Sequence, residues 1–140
     1  MGFLNPTPGE VIDRLTILEL KVQAAKKRAL PTAELEAEQQ QLQQVVREFE
    51  QNIIEDCMGD DELWTQKNDK VRLQWNSLAA VNALLWDCED KVRALPITEA
   101  LKLAALAKQI AALNDQRATL KKALTELYGA SEAELKMYGS

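Results

Sequence analysis

At 140 residues and 15.7 kDa the chain is one domain by size, long enough to bury about two thirds of its unfolded surface around a single core. Apolar residues make up 46% and charged residues 28%, which argues against wholesale disorder. The net charge is -5, and the only dense basic run, Lys26-Lys27-Arg28, suits a helix C-terminus, which argues against nucleic-acid binding.

Met1-Gly2-Phe3-Leu4-Asn5-Pro6 has neither a basic n-region nor a long apolar stretch, so no export, anchoring or membrane-spanning signal is expected. Thr7-Pro8-Gly9-Glu10 reads as a capping box, with Thr7 as N-cap, Pro8 at the first helical position and Glu10 returning to the cap. A first helix then runs to about Arg28, and Pro31 stops it. Thr32 caps a second helix that passes through the glutamine-rich stretch Gln39 to Gln44, read as solvated surface, and ends near Cys57 and Met58-Gly59. Asp60 or Asp61 opens a third helix, periodic through Val71, Leu78, Leu85 and Val92 to about Leu95, roughly 50 Å long at 1.5 Å per residue. After Pro96, Thr98 caps a fourth helix with the stripe Leu103, Leu106, Ile110, Leu113, Arg117, Leu120, Leu124 and Leu127, stopped by Gly129. Ser131-Glu132-Ala133-Glu134 is a second capping box, opening a short helical tail that includes Tyr138. No strand pattern occurs.

The expected fold is all-α, an antiparallel bundle of two helical hairpins with a short tail. The second hairpin is the longer and should project beyond the first, leaving apolar surface that argues for a homodimer or another protein partner. Histidine is absent, so the commonest general base and zinc ligand are missing. Cys57 and Cys88 lie 31 residues apart in no metal-binding spacing, which points to reduced thiols in the cytoplasm.

Several polar positions need a reason. Glu89 and Arg117 fall within apolar stripes, where an unpaired charge is expensive. Arg117, flanked by Asn114 and Lys121 one turn to either side, must meet an acid or an anion. If the hairpins align at their shared end, Glu19 comes within about a turn of it, while Glu89 is level with Ala104 and about 20 Å away along the axis. Glu89 is then expected to find Lys108 or a neighbouring chain. Val11, Leu15, Leu18 and Val22 share one face of the first helix, and Ile17 and Leu20 lie opposite with Glu10 and Asp13, so that helix is apolar on two sides. Trp64, Trp75 and Trp86, spaced by eleven residues, form a row along one flank of the third helix, either the edge of a core or an interface.

The turn Glu55 to Glu62 gathers acids around one glycine but fails the calcium-loop spacing, so it reads as capping and solvated acids. Glu10 and Asp13 have the one-turn carboxylate spacing of magnesium-dependent all-helical nucleotide pyrophosphohydrolases. The complementary double-glutamate motif is missing, since Glu34, Glu36 and Glu38 cannot share one face.

Pro8-Gly9-Glu10-Val11-Ile12-Asp13-Arg14-Leu15-Thr16-Ile17-Leu18-Glu19-Leu20-Lys21, then Asn82 with Leu85-Trp86-Asp87-Cys88-Glu89-Asp90 and Arg93, then Asn114-Asp115-Gln116-Arg117-Ala118 with Leu120-Lys121, and finally Glu134, Lys136 and Tyr138 form a long pattern. In these residues the chain resembles an uncharacterised bacterial family of small helical proteins. The resemblance spans the first, third and fourth helices and the tail, matches the second helix least, and implies a bacterial protein of similar shape without implying any chemistry.

Two functional expectations result. The first is a cytoplasmic, non-catalytic interaction or assembly module without cofactor or metal, self-associating through the first helix, the long hairpin, the tryptophan row and Glu89. The second is a small-molecule or phosphoanion site between the first and fourth helices. There Glu10 and Asp13 would be oxygen ligands, Arg117 and Lys121 would hold the anion, and Glu19 and Asn114 would stand nearby.

Overall fold

The computed structural model describes residues 6–129. Four helices follow in order: α1 (Pro8–Lys27), α2 (Ala33–Cys57), α3 (Asp61–Ala94) and α4 (Ala100–Leu127), and no strand occurs among the described residues. Each boundary has a local cause. Thr7 is extended and its Oγ1 accepts a 3.1 Å bond from the Glu10 backbone N–H, with Pro8 in the first turn where its missing donor costs nothing. The return bond from the Glu10 carboxylate is not among the hydrogen bonds of the described residues, so the box is half formed. At the end of α2, Met58 and Gly59 are both left-handed (φ 50° and 81°), and Asp60 then caps α3 by accepting from Leu63 N–H at 3.0 Å.

Pro96 disfavours helical backbone at Leu95 and ends α3. The cap of α4 is displaced from the expected Thr98: Glu99 holds that place with no side-chain bond, and its own N–H donates to the Pro96 carbonyl in a turn. Thr32 does precede α2 but its hydroxyl caps nothing. Gly129 (φ 79°) terminates α4 as expected, and the tail box from Ser131 to Glu134, with Tyr138, lies outside the described residues.

One apolar cluster joins all four helices within the single chain: Val11, Ile12 and Leu15 of α1, Val46, Ile53 and Cys57 of α2, Val71 and Leu78 of α3, and Leu124 with Tyr128 at the end of α4. The two hairpins therefore pack against each other intramolecularly. α1 is the central helix: nine of its 20 residues are buried, against three of 25 in α2, because it meets α2, α3 and α4. Ile17 and Leu20, on its second side, are half-buried.

A second cluster, Val81, Leu85, Cys88 and Leu113 with Leu106 and Ile110 against it, draws on α3 and α4 alone. By helical rise α1 and α2 span about 30 and 38 Å, whereas α3 and α4 span about 51 and 42 Å. Toward the Pro96 turn the hairpin's inner residues Val92, Leu95, Leu103 and Leu106 stay only half-buried, and Ile97 and Leu101 are each 89% exposed. No helix of the described residues is long and apolar enough to cross a membrane.

Candidate functional site

The polar centre of the molecule sits where α1 meets the α3–α4 hairpin. The α1 stripe carries Asp13 and Thr16 inward beside Ile12 and Leu15, the α3 stripe carries Asn82 between Leu78 and Leu85, and the α4 stripe carries Arg117 between Leu113 and Leu120. Arg117 Nε donates to Asp13 Oδ1 at 2.8 Å and Nη2 to Oδ2 at 2.5 Å, a two-pronged pair. Asn82 Nδ2 donates to the same Asp13 Oδ1 at 2.9 Å and to Thr16 Oγ1 at 2.7 Å, while that hydroxyl donates to the Asp13 carbonyl at 2.7 Å. The Asp13 side chain is 7% exposed and that of Arg117 30%.

Burial opposes the Asp13 charge, but the hydrogen bonds from Arg117 and Asn82 and the positive charges of Arg117 and Lys121 outweigh it and hold the carboxyl below its ordinary value. For Arg117, the Asp13 hydrogen bond outweighs burial, and the Asp13 and Glu89 charges add to it, so its pKa rises.

One turn further along, α1 and α4 touch backbone to backbone. Gly9 N–H donates to Thr125 Oγ1 at 3.0 Å, and Thr125 Oγ1 donates to the Lys121 carbonyl at 3.1 Å. A Cβ built on Gly9 would stand 2.0 Å from that carbonyl oxygen. The approach at Gly9 sets the register of α1 on α4, and that register brings Asp13 to Arg117.

The expected partner of Arg117 is thereby corrected. Glu19 is exposed and bonds to Gln23 Nε2 (3.0 Å) and Gln39 Nε2 (3.3 Å) instead, because aligning hairpins by their ends ignores the Gly9 contact that slides α1 along α4. Glu89 is exposed rather than buried in the α3 stripe, which instead turns through Leu85 and Cys88. Its charge nonetheless acts on Arg117, so the two lie nearer than a pivot at Pro96 implies: Asn82 and Arg117 meet on the same Asp13 oxygen, which shifts the level at which α3 faces α4.

Asn114 is exposed and outside the network; Lys121 is half-buried and contributes charge to it. Glu10 is half-buried at the start of α1, and with Asp13 committed to Arg117 and Asn82 the two carboxylates do not form an open pair. Among the described residues no group of three or more Cys, Asp or Glu side chains converges as a ligand set. The tryptophan row divides: Trp75 packs on the core, Trp86 is half-buried and Trp64 is 38% exposed.

Thr16, Asn82 and Thr125 carry no charge, the signal that marks Arg117 in the sequence. The available clue was position: Asn82 lies four residues after Leu78 and three before Leu85, a polar side chain in the middle of an apolar stripe. Chemically the assembly is a closed clamp. It ties α1, α3 and α4 together through one carboxylate, both of whose oxygens are engaged. No protein-family model, curated protein or solved structure matches the chain.

Proposed function

We propose that the protein is a non-catalytic assembly module that forms a homodimer in a reducing, cytoplasmic setting. The observation that carries this reading is the far end of the α3–α4 hairpin, where the inner stripe is half-buried and Ile97 and Leu101 lie open on the turn. Lys91, Ala94, Leu95, Lys102, Ala105 and Leu106 line a shallow depression there of about 410 Å³, apolar on its floor and basic only at its edges. Small residues flanked by exposed apolar ones let two helical pairs approach closely, and a second copy offers the same surface, the arrangement a two-fold interface requires. The polar clamp at Asp13 supports the same reading from the other side, since its charges are spent on joining helices. Free, buried Cys57 and Cys88 accord with a reducing compartment.

Light scattering on the purified protein tests this directly. The expected molar mass is twice 15.7 kDa, falling to 15.7 kDa in the double variant Ile97→Glu, Leu101→Glu. Both side chains are 89% exposed, so the variant keeps the monomer fold. A wild-type monomer across the accessible concentration range overturns the proposal, and a dimer that survives the double substitution moves the interface elsewhere.

A further inference from the structure

A second concave surface adjoins the Arg117 clamp, sharing Thr16 with it, where α1, α2 and α3 converge. It is a groove of about 360 Å³, floored by Leu15, Leu20 and Trp75 and walled by Glu19, Gln39 and Gln43. The glutamine-rich part of α2 is thus not all solvated surface: Gln39 and Gln43, four residues apart, present one face to the groove. Glu19 is held from both sides, by Gln23 Nε2 at 3.0 Å on one oxygen and Gln39 Nε2 at 3.3 Å on the other. Each carboxylate oxygen retains acceptor capacity after these bonds. No cationic side chain lines the groove, so its one formal charge is negative, and the Trp75 indole lines the same groove.

We propose that this groove binds a small organic cation bearing a guanidinium or primary ammonium group. The Glu19 carboxylate accepts its N–H donors, the Trp75 indole contacts the cationic head, and Leu15 and Leu20 hold an aliphatic stem. The donor set selects this class. A divalent metal needs several oxygen ligands, and the groove supplies a single carboxylate already anchored by two amides. An anion meets no positive charge there. Carboxylate and aromatic face together recognise a flat or compact cation, and an indole is the strongest aromatic partner for one. The cation could be free or carried on an arginine side chain of a peptide, so the test includes both.

The experiment follows the indole N–H and side-chain amide signals of the 15N-labelled protein during titration with agmatine, with the tripeptide acetyl-Ala-Arg-Ala-amide, and with neutral butylurea. Trp75→Phe assigns the Trp75 indole. The expected result is a saturable shift at Trp75, Gln39 and Gln43 with agmatine or the tripeptide and none with butylurea. Tighter binding of agmatine identifies a free small molecule, and tighter binding of the tripeptide a protein-borne arginine. Glu19→Gln, at an exposed position whose loss leaves the core intact, is expected to weaken binding by about tenfold or more. Absence of a saturable shift with both cations, an equal response to butylurea, or unchanged affinity in Glu19→Gln overturns the proposal.

Discussion

A methyl group at Gly9 would meet the backbone of Lys121 rather than a side chain able to rotate away, with Thr125 Oγ1 also at 2.8 Å. Gly9→Ala therefore forces α1 off α4. It is expected to lower stability in urea unfolding by about 1–3 kcal/mol, although the same change at an open helical position gains about 1 kcal/mol. A stabilised variant would show that the close approach does not exist. The Asp13–Arg117 pair behaves differently because both groups carry charge. Arg117→Met leaves a carboxylate that is 7% exposed without its main partner, and the expected loss is about 3–5 kcal/mol. Adding Asp13→Leu removes the stranded charge, so the double variant should recover much of that loss, and a double-mutant cycle measures the coupling. The pH dependence has a definite sign. The folded Asp13 value lies below the ordinary 3.8, so its contribution is fully present above that value and is lost as pH falls through the lower folded value. Asp13→Asn should therefore flatten the stability curve below about pH 4 and leave its shape near neutrality unchanged.

At the scale of a helix, the sequence speaks clearly about which face is buried and only faintly about which residue meets which. The α4 stripe from Leu103 to Leu127 is legible because a 3.6-residue period is a property of one helix. Every member is buried or half-buried. Thr7, Asp60 and Gly129 are legible for the same reason, since capping needs only neighbours within a turn. Arg117 could be recognised as needing an acid, yet choosing Asp13 over Glu19 required the sliding register of α1 on α4. That register is set by a glycine whose importance lies in an absent side chain. Thr98 misled because a hydroxyl before a helix is a cap only if the preceding turn aims it, and the turn after Pro96 places Glu99 there instead. Tyr128, just past α4, adds a test of the same kind. Its ring packs on Phe49 with centroids 5.9 Å apart, but its hydroxyl is buried with no hydrogen-bond partner among the described residues, and burial raises its pKa. Tyr128→Phe should keep the ring contact and remove an unsatisfied oxygen, so thermal unfolding is expected at an unchanged or higher temperature, by up to about 1–3 kcal/mol in stability. A clear loss would mean that the hydroxyl is bonded in solution.

The whole molecule has two stability regimes, because four helices share one core at one end and two helices share a narrower one at the other. The first cluster draws residues from every helix, whereas Leu106 and Ile110 belong to a cluster of α3 and α4 alone. Opening the distal hairpin exposes little apolar surface, so in a monomer its amides should exchange through local fraying well below the global unfolding free energy. Amides around Leu78 and Leu124, both fully buried, should exchange only on global unfolding. The proposed dimer, formed through the hairpin tip, would change this gradient selectively. In the wild-type protein, amides from Leu103 to Ile110 should gain protection as concentration rises through the dimer range, while those near Leu78 gain less. The variant Ile97→Glu, Leu101→Glu should remain frayed at every concentration. Hydrogen exchange followed by mass spectrometry at two protein concentrations separates these outcomes. Uniform protection in the monomeric variant would mean that two helices suffice to hold the distal end, and the physical motive for self-association there would be gone.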